Sequence, residues 1–312
     1  MSYGFAKSPS AALRFGFRRS NVHTVRRSKG NLARTSLPAF TRSRQKIKET
    51  ELDIIVCIKQ VPNVREVSWD PDTGNLIRTG LPSVINPNDK NAVEAALSLK
   101  EKHGGSVTII SMGPPQVDES LREALSMGAD SAIQLTDKEF AGADCWATSY
   151  TLGQAVRKIG RWDLILTGVE AMDGNTAQVG PEVAKCLDIP LLSYARSLEV
   201  SDKKIRVSQK LGDLTRVLEA PLPALVTVDR EANQPRVAPM DCVLECYEKV
   251  IPVWTAEDLG GESGNYGLKG SPTRLRKIFT PKLLRGKVEI FDGDYETAVG
   301  KLVDKLKELY LI

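Results

Sequence analysis

Apolar and polar positions along the chain follow two patterns, short apolar runs and longer amphipathic segments. Apolar runs of strand length lie at residues 53–59, 107–111, 131–135, 164–167 and 190–194. Between them, segments of helix length place apolar residues three and four positions apart, at residues 92–99, 120–127 and 146–159 and in a stretch ending at Leu187. Strands that alternate with helices in this way predict an α/β fold built on a doubly wound, mostly parallel sheet.

The remaining segments predict the domain organisation. Residues 68–79 contain turn residues and indicate a hairpin or an excursion of the chain, whereas residues 204–217 and 224–228 are predicted as strands that close the sheet. Residues 260–285 are rich in Gly, Ser, Pro and basic residues and predict an extended arm, followed by an amphipathic helix at residues 295–311. We expect a basic extension (1–48), an α/β domain (49–259), and a C-terminal arm and helix (260–312). The arm either docks on a partner or packs on its own domain.

The most informative stretch is the loop at residues 168–180, which follows the apolar run 163–167. In a parallel sheet such a loop lies at the carboxyl ends of the strands, where open α/β folds bind ligands. Its glycines allow close backbone approach, Thr176 and Gln178 offer side-chain donors, and the following helix N-terminus favours an anion. The alternative is an ordinary turn. The glycine spacing is neither Walker A nor G-x-G-x-x-G, so the residues alone indicate a nucleotide or another anion.

Charge is divided unevenly along the chain. Residues 1–48 hold 12 of the 43 lysines and arginines and none of the 39 acidic residues, which leaves 31 basic against 39 acidic residues in the remainder. An acidic body argues against nucleic-acid binding by the folded part. The serine- and arginine-rich tail has the composition of an organelle transit peptide, which predicts a mitochondrial matrix protein. The alternatives are a disordered basic extension or sequence upstream of the true start, and the protein is then cytoplasmic.

Side-chain catalysis is not visible in the sequence. The five cysteines form no CxxC pair and only two histidines occur, so no disulfide framework, zinc site or histidine-based triad is indicated. No apolar run approaches the ~18 residues of a spanning helix, so no membrane insertion is expected. The expectation is that a cofactor, rather than a catalytic residue or a metal, carries the chemistry.

Several short motifs, in order along the chain, resemble the β subunit of electron transfer flavoprotein. They lie at residues 58–62 (IKQVP), 86–87 (NP), 111–114 (SMGP), 124–130 (ALSMGAD), 168–180, 223–229 (PALVTVD) and 233–236 (NQPR). The resemblance runs from about residue 53 to the C-terminus. Further residues resemble the anaerobic type that works with acyl-CoA dehydrogenases and acyl-CoA reductases: 142–144, 147–149, 176–182, 270–273, Lys277 and 279–282.

The resemblance implies a heterodimer with an α subunit that holds an electron-carrying FAD. Residues 49–259 are then the nucleotide-binding domain, and the C-terminal arm and helix (260–312) are expected to dock on the α subunit. The β subunit then holds an adenine nucleotide of its own, which is a structural AMP in ordinary members. In bifurcating members it is a second FAD that takes a hydride from NADH. The implied partner of the heterodimer is an acyl-CoA dehydrogenase.

Carried over by position, the resemblance implies a set of nucleotide-binding residues. They are Cys57, Asn86, Met112, Gly113, Ala171, Asp173, Thr176, Gln178, Val179 and Gly180. Thr148 matches a threonine beside the second FAD, whereas Cys145 departs from a second threonine there and puts bifurcation in doubt. Met240 lies where the family has an apolar residue that anchors the dehydrogenase, and the lysines that usually follow are replaced by residues 245–248 (ECYE).

Two other classes of function fit the same superfold. One is an ATP-using enzyme or hydrolase, which requires a phosphate motif with a general base or metal carboxylates. The other is a nucleotide-sensing regulatory module, which lacks the loop around Met240 and the C-terminal arm. Because fold alone does not determine function, both stay open as alternatives to electron transfer.

Overall fold

The computed structural model describes residues 51–63, 68–69, 76–77, 83–274 and 288–312. All the described elements belong to one unit that spans residues 48–312. The predicted N-terminal extension (1–48) and residues 275–285 of the predicted arm lie outside the described residues.

The described elements alternate as the sequence predicts. The strands are β1 (Leu52–Cys57), β2 (Gln60–Pro62), β3 (Ser68–Trp69), β4 (Leu76–Ile77), β5 (Ser83–Ile85), β6 (Gly105–Met112), β7 (Ser131–Leu135), β8 (Leu164–Gly168), β9 (Leu191–Ala195), β10 (Ser197–Ser201), β11 (Lys204–Leu211), β12 (Leu214–Pro221), β13 (Ala224–Val228) and β14 (Val253–Trp254). The helices are α1 (Pro87–His103), α2 (Val117–Ser126), α3 (Cys145–Ile159), α4 (Val179–Leu187), α5 (Met240–Glu245), α6 (Ala256–Leu259), α7 (Gly267–Gly270) and α8 (Tyr295–Glu308). Short 3₁₀ turns lie at Lys138–Phe140 and Ser263–Asn265.

Seven strands form the central sheet in the order β14-β7-β6-β1-β8-β13-β9, and every neighbouring pair is parallel. The predicted doubly wound α/β fold is confirmed. From β1 the chain first builds outward through β6 and β7, then returns to add β8 on the other side of β1. The strand order therefore reverses between β1 and β8, and such a switch point opens a crevice at the carboxyl ends of the strands.

Alternate residues of the strands pack on opposite faces of this sheet. Ile54 and Val56 of β1 belong to the apolar cluster formed with α1 and α2, whereas Ile55 and Cys57 belong to the cluster formed with α3 and α4. Because both faces of β1 are covered, its sequence is a continuous apolar run rather than an alternating one.

The prediction that residues 204–217 close the central sheet is wrong. Strands β10, β11 and β12 form a separate antiparallel three-stranded sheet, and only β13 enters the central sheet, between β8 and β9. The reason is visible in the burial of β11, where Ile205 and Val207 are buried and Lys204 and Arg206 are exposed. Such alternation suits a sheet with one wet face, whereas all five residues of β13 are buried.

The predicted hairpin at residues 68–79 is confirmed by its backbone, since β3 and β4 pair antiparallel with Ser68 opposite Ile77. The first part of the predicted arm packs on its own domain. Tyr266 is buried against Phe140 and Tyr150, with ring centroids 5.4 and 5.3 Å apart. The amide of Leu268 donates to the carbonyl of Ala141 at 3.0 Å.

The C-terminal helix α8 is confirmed and ends three residues earlier than predicted, at Glu308. Asp294 caps it by accepting from the amide of Thr297 at 3.0 Å. None of its residues is buried within the described part of the chain, and Val299 and Leu302 on its apolar face are exposed. An amphipathic helix left this open is typical of a segment that packs against another chain.

Candidate functional site

A cavity of about 890 Å³ lies at the switch point of the sheet. The last residues of three strands reach it: Cys57 from β1, Met112 from β6 and Gly168 from β8. Its position at the carboxyl ends of the strands agrees with the location expected for a ligand site in an open parallel sheet. Its size falls near the upper end of the ~300–1,000 Å³ common among ligand pockets.

Two helix N-termini line this cavity. Cys145 and Thr148 come from the first turn of α3, and Val179 and Gly180 are the first two residues of α4. The first N–H groups of an α-helix lack intrahelical acceptors, and the helix dipole adds partial positive charge. The side chain of Asp144 already accepts one of these groups in α3, the amide of Ala147, at 3.1 Å. The cavity therefore offers phosphate-binding chemistry.

Part of the cavity lining is apolar. It is formed by Phe140 and Leu152, with the small residues of segment 141–143 beside them. Phe140 is held by the capped 3₁₀ turn in which the Asp137 side chain accepts from the amide of Glu139 at 3.0 Å. A lining that combines apolar side chains with anion-binding helix ends suits a ligand that has both a ring system and a phosphate.

The loop that follows β8 is braced by an asparagine from the start of α1. Asn86 is fully buried; its Nδ2 donates to the carbonyl of Glu170 at 2.8 Å and its Oδ1 accepts from the amide of Met172 at 3.0 Å. Asn88 Nδ2 donates to the same carbonyl at 2.9 Å. The amide of Asn86 thus satisfies two backbone groups of the loop and sets the position of the cavity wall.

Two residues of this loop adopt a left-handed backbone, Asn175 with φ 48° and Ala177 with φ 53°. Asparagine tolerates this conformation, but for alanine it costs about 1–2 kcal/mol. Strained residues persist where the surrounding structure holds them, and they concentrate at functional sites. Ala177 lies in the cavity wall immediately before Gln178 and helix α4.

Two of the three loop glycines lack a side chain because protein atoms fill the space. A Cβ on Gly180 lies 2.8 Å from both Thr167 Oγ1 and Thr227 Cγ2, and one on Gly168 lies 2.3 Å from Asp89 Oδ1. At Gly174 no protein atom lies within 4 Å of the added carbon. Close packing of α4 on β8 and β13 therefore explains Gly180, and Gly174 is the glycine with open space for a ligand.

Beneath the cavity, a buried carboxylate joins two strands. Asp89 Oδ2 accepts from the amide of Lys59 at 2.8 Å, and its Oδ1 accepts from the amide of Gly168 at 3.1 Å. Burial raises the pKa of Asp89 to about 7, although these hydrogen bonds act in the opposite direction. Burial also raises the pKa of the neighbouring Cys57 thiol to about 12, so Cys57 stays a neutral, compact group in the cavity floor.

Two side-chain contacts join elements that line the cavity. Lys59 Nζ lies 2.6 Å from Asp173 Oδ2, which joins the end of β1 to the loop, in an exposed ion pair. Cys145 Sγ donates to Thr176 Oγ1 at 3.3 Å, which joins the start of α3 to the same loop. Both contacts attach the loop to another part of the cavity lining.

Residues 271–273 of the arm are hydrogen-bonded to Asp144 at the N-terminus of α3, which lines the cavity. Asp144 Oδ2 accepts from the amide of Thr273 at 2.9 Å and from its hydroxyl at 2.7 Å. The Ser271 hydroxyl accepts from the amide of Asp144 at 2.8 Å. These hydrogen bonds hold the pKa of Asp144 below its usual value, although burial acts to raise it. The arm is thus attached where α3 begins.

The structure brings most of the residues named from the sequence to one cavity. Its lining includes Cys57, Met112, Gly113, Thr148, Ala171, Thr176, Gln178, Val179 and Gly180. Two others lie beside it: Asn86 braces the loop and lines a neighbouring cavity of about 370 Å³, and Asp173 pairs with Lys59. Sequence reasoning missed Asp89 and Phe140, which carried no signal beyond a helix cap and an isolated aromatic residue.

Met240 lies apart from the cavity, on the first turn of α5, with 73% of its surface exposed. Exposure on this scale excludes the core role that its apolar side chain otherwise suggests.

In the part of the chain that the structure describes, no group of acidic, cysteine or histidine residues could hold a metal ion. No described helix is long and apolar enough to cross a membrane.

Comparison with known proteins finds a matching family and relatives that cover most of the chain. Residues 73–259 match the electron transfer flavoprotein domain. The chain is 44% identical over 261 residues to "Electron transfer flavoprotein subunit beta" of Clostridium acetobutylicum, covering 84% of this chain and 100% of the relative. It is also 44% identical over 260 residues to "Caffeyl-CoA reductase-Etf complex subunit CarD" of Acetobacterium woodii, covering 83% of this chain and 99% of the relative.

Proposed function

This chain belongs to the family of electron transfer flavoprotein β subunits, and we propose that it works in a heterodimer with an α subunit to carry electrons to or from an acyl-CoA dehydrogenase or reductase. The proposal assigns no catalytic role to a side chain of this subunit. The observation that carries it is the cavity at the switch point, whose lining combines two helix N-termini with apolar side chains. That arrangement suits a nucleotide.

The residues present fit an adenine nucleotide. The phosphate end is placed at the N-termini of α3 and α4, where Thr148 and Gln178 add side-chain donors. The ring end is placed against Phe140 and Leu152. Within the family the occupant is either AMP or a second FAD, and a bound flavin supplies the capacity to accept and release electrons. The cavity volume of about 890 Å³ leaves room for the larger of the two.

The chain's own residues hold this occupant. Asp89 ties the ends of β1 and β8 together beneath it, and Asn86 fixes the loop that forms its wall. The contact between Cys145 and Thr176 joins the start of α3 to the same loop. The family's bifurcating members have threonine at the position of Cys145. A thiol there is a weaker hydrogen-bond donor, which favours a structural AMP.

Purification with the α subunit tests the proposal. The absorbance spectrum and chromatography of the released nucleotides give the flavin and AMP content of each heterodimer. One flavin with one AMP indicates simple electron transfer, and two flavins indicate a second FAD in this subunit. A heterodimer with one flavin and no second adenine nucleotide contradicts the proposed role of the cavity.

We further propose that α8 docks on the α subunit. Residues 256–274 pack on the domain, so among the described residues the candidate docking segment is 288–312. Deleting residues 288–312 leaves the contacts of Asp144 with Ser271 and Thr273 intact, and we expect it to abolish co-purification with α. A truncated chain that still co-purifies at full yield contradicts this assignment.

Met240 is proposed as the anchor for the redox partner, because it is an exposed apolar residue on a short helix outside the cavity.

The localisation of the protein remains a prediction from the composition of residues 1–48. The relatives described above are bacterial, so they lend no support to a mitochondrial address for the tail.

A further inference from the structure

The surface of α5 carries an apolar stripe. Met240, Leu244 and Tyr247 are 73%, 67% and 71% exposed, and their spacing of four and three residues places them along one side of the helix and the turn that extends it. Three exposed large apolar side chains in a row are uncommon on a water-facing helix.

An acidic stripe runs beside it. Asp241, Glu245 and Glu248 each follow one position after an apolar member, so they lie along the adjacent side. All three carboxylates are exposed, and none forms an ion pair with another residue in the described ranges. The two stripes together define the α5 docking face.

Two cations lie at this face, and one of them, Arg122, sits over the ring of Tyr247 with its Cζ 5.5 Å from the ring centroid. Arg122 pairs with Asp118 at 2.7 Å and donates to the carbonyl of Cys246 at 2.9 Å. Lys249 Nζ donates to the carbonyl of Ala129 at 2.8 Å, which directs it toward the domain. Neither cation forms an ion pair with Asp241, Glu245 or Glu248, so the α5 docking face keeps a net negative charge.

The α5 docking face is held firmly on its domain. Cys246 is buried beneath the stripes, and its carbonyl is fixed by Arg122. On the other side, Asn91 Nδ2 donates to Asn233 Oδ1 at 2.8 Å and secures the segment that leads into α5. A surface fixed at both ends presents its side chains without the entropy cost of ordering a loop on binding.

We propose that the α5 docking face binds a redox partner protein through an apolar socket bordered by lysine or arginine side chains. This inference rests on the proposed function and adds the charge of the partner's surface. Apolar residues give the contact its affinity, while complementary charge speeds encounter and orients it. The acidic stripe is the feature that selects a basic border over an acidic one.

The test uses the heterodimer and a purified acyl-CoA dehydrogenase that the wild type reduces. The second-order rate constant for dehydrogenase reduction is measured at ionic strengths from about 0.01 to about 0.15 M, over which the Debye length falls from about 30 to about 8 Å. For the wild type we expect the rate constant to fall with added salt. The double variant Glu245→Lys/Glu248→Lys is expected to be at least about tenfold slower at low salt and to lose this dependence.

The matched control is Glu199→Lys/Asp213→Lys, which changes the net charge equally on the separate three-stranded sheet. It is expected to behave like the wild type. An α5 variant that equals or exceeds the wild-type rate overturns the inference, and so does loss of the α subunit on purification, which assigns the face to α instead. If Met240→Ala slows the reaction while the charge variant does not, the proposed anchor stands and the basic border is wrong.

Discussion

Arg236 and Glu94 form a two-point ion pair across 142 residues of sequence, with Nε 2.8 Å from Oε2 and Nη2 2.9 Å from Oε1. The amide of Arg236 donates to the same carboxylate at 3.0 Å. Burial acts to raise the pKa of Glu94, but the hydrogen bonds and charge of Arg236 outweigh it and hold the pKa below its usual value. The pair fastens the irregular segment after β13 to α1, a few residues before Met240.

We expect Arg236→Ala to lower the free energy of unfolding by about 1–3 kcal/mol, because it leaves a largely buried carboxylate unpaired. The double variant Glu94→Gln/Arg236→Ala removes the charge as well and is expected to recover part of this loss. Because the paired carboxylate has a lowered pKa, its contribution is present above the unfolded pKa, near 4.5, and is lost as the pH falls through the folded pKa. Denaturant titrations at several pH values measure both effects; a loss that is independent of pH contradicts the assignment.

Substitutions at two glycines of the loop distinguish a role in packing from a role in ligand contact. Gly180→Ala places a Cβ 2.8 Å from two threonine side chains, and we expect it to lower the free energy of unfolding by about 1–3 kcal/mol. Gly174→Ala meets no protein atom within 4 Å, so we expect the melting temperature to be unchanged and the nucleotide content to fall. Calorimetry and nucleotide analysis on the same samples measure both, and full nucleotide content in Gly174→Ala shows that this part of the loop does not touch the ligand.

The raised pKa of Asp89 predicts that the free energy of unfolding depends on pH. Its pKa is raised from 3.8 to about 7 in the folded protein, so its contribution is fully present below pH 3.8 and is lost as the pH rises toward 7. Asp89→Asn removes this titration and also loses one acceptor for the amides of Lys59 and Gly168, at a pH-independent cost of about 1–3 kcal/mol. We therefore expect the stability of the variant relative to wild type to improve between about pH 4 and 7, as denaturant midpoints measure. A constant difference contradicts the raised pKa.

Met240→Ala is expected to slow electron transfer to the dehydrogenase several-fold without changing nucleotide content. Full burial of a methionine is worth about 1.5–3 kcal/mol, enough to orient a partner that must also leave. Since Met240 is exposed in the free subunit, the melting temperature should not change. Val217→Ala, at an exposed apolar position on the three-stranded sheet, is the control. A lowered melting temperature with an unchanged rate rules out the anchor.

The N-terminal extension is expected to be dispensable for electron transfer. A chain that starts at about residue 49 should keep its α subunit and flavin content, because a segment with 12 basic residues and no acidic ones has little apolar surface to bury. Mass spectrometry of the native protein measures whether the tail is removed. An N-terminus between about residues 25 and 50 agrees with a transit peptide, whereas an intact Met1 excludes one.

The sequence by itself determined the class of fold and the place of the site. Apolar runs such as residues 164–167 and 224–228 are buried on both faces, and burial of this kind requires parallel strands between helix layers. The order of strands and helices then placed the loop at residues 168–180 at the carboxyl edge. Local pattern was sufficient because strand, helix and turn preferences act over a few neighbouring residues.

Only the tertiary structure decided what each residue does there. The sequence left open whether Gly180 admits a ligand or a neighbouring strand, and the threonines that fill its Cβ position come from β8 and β13. Asp89 acquired its raised pKa from burial beneath two strands, and Met240 its exposure from the absence of covering elements in the described domain. Burial and contact depend on residues that are distant along the chain, and no local pattern contains them.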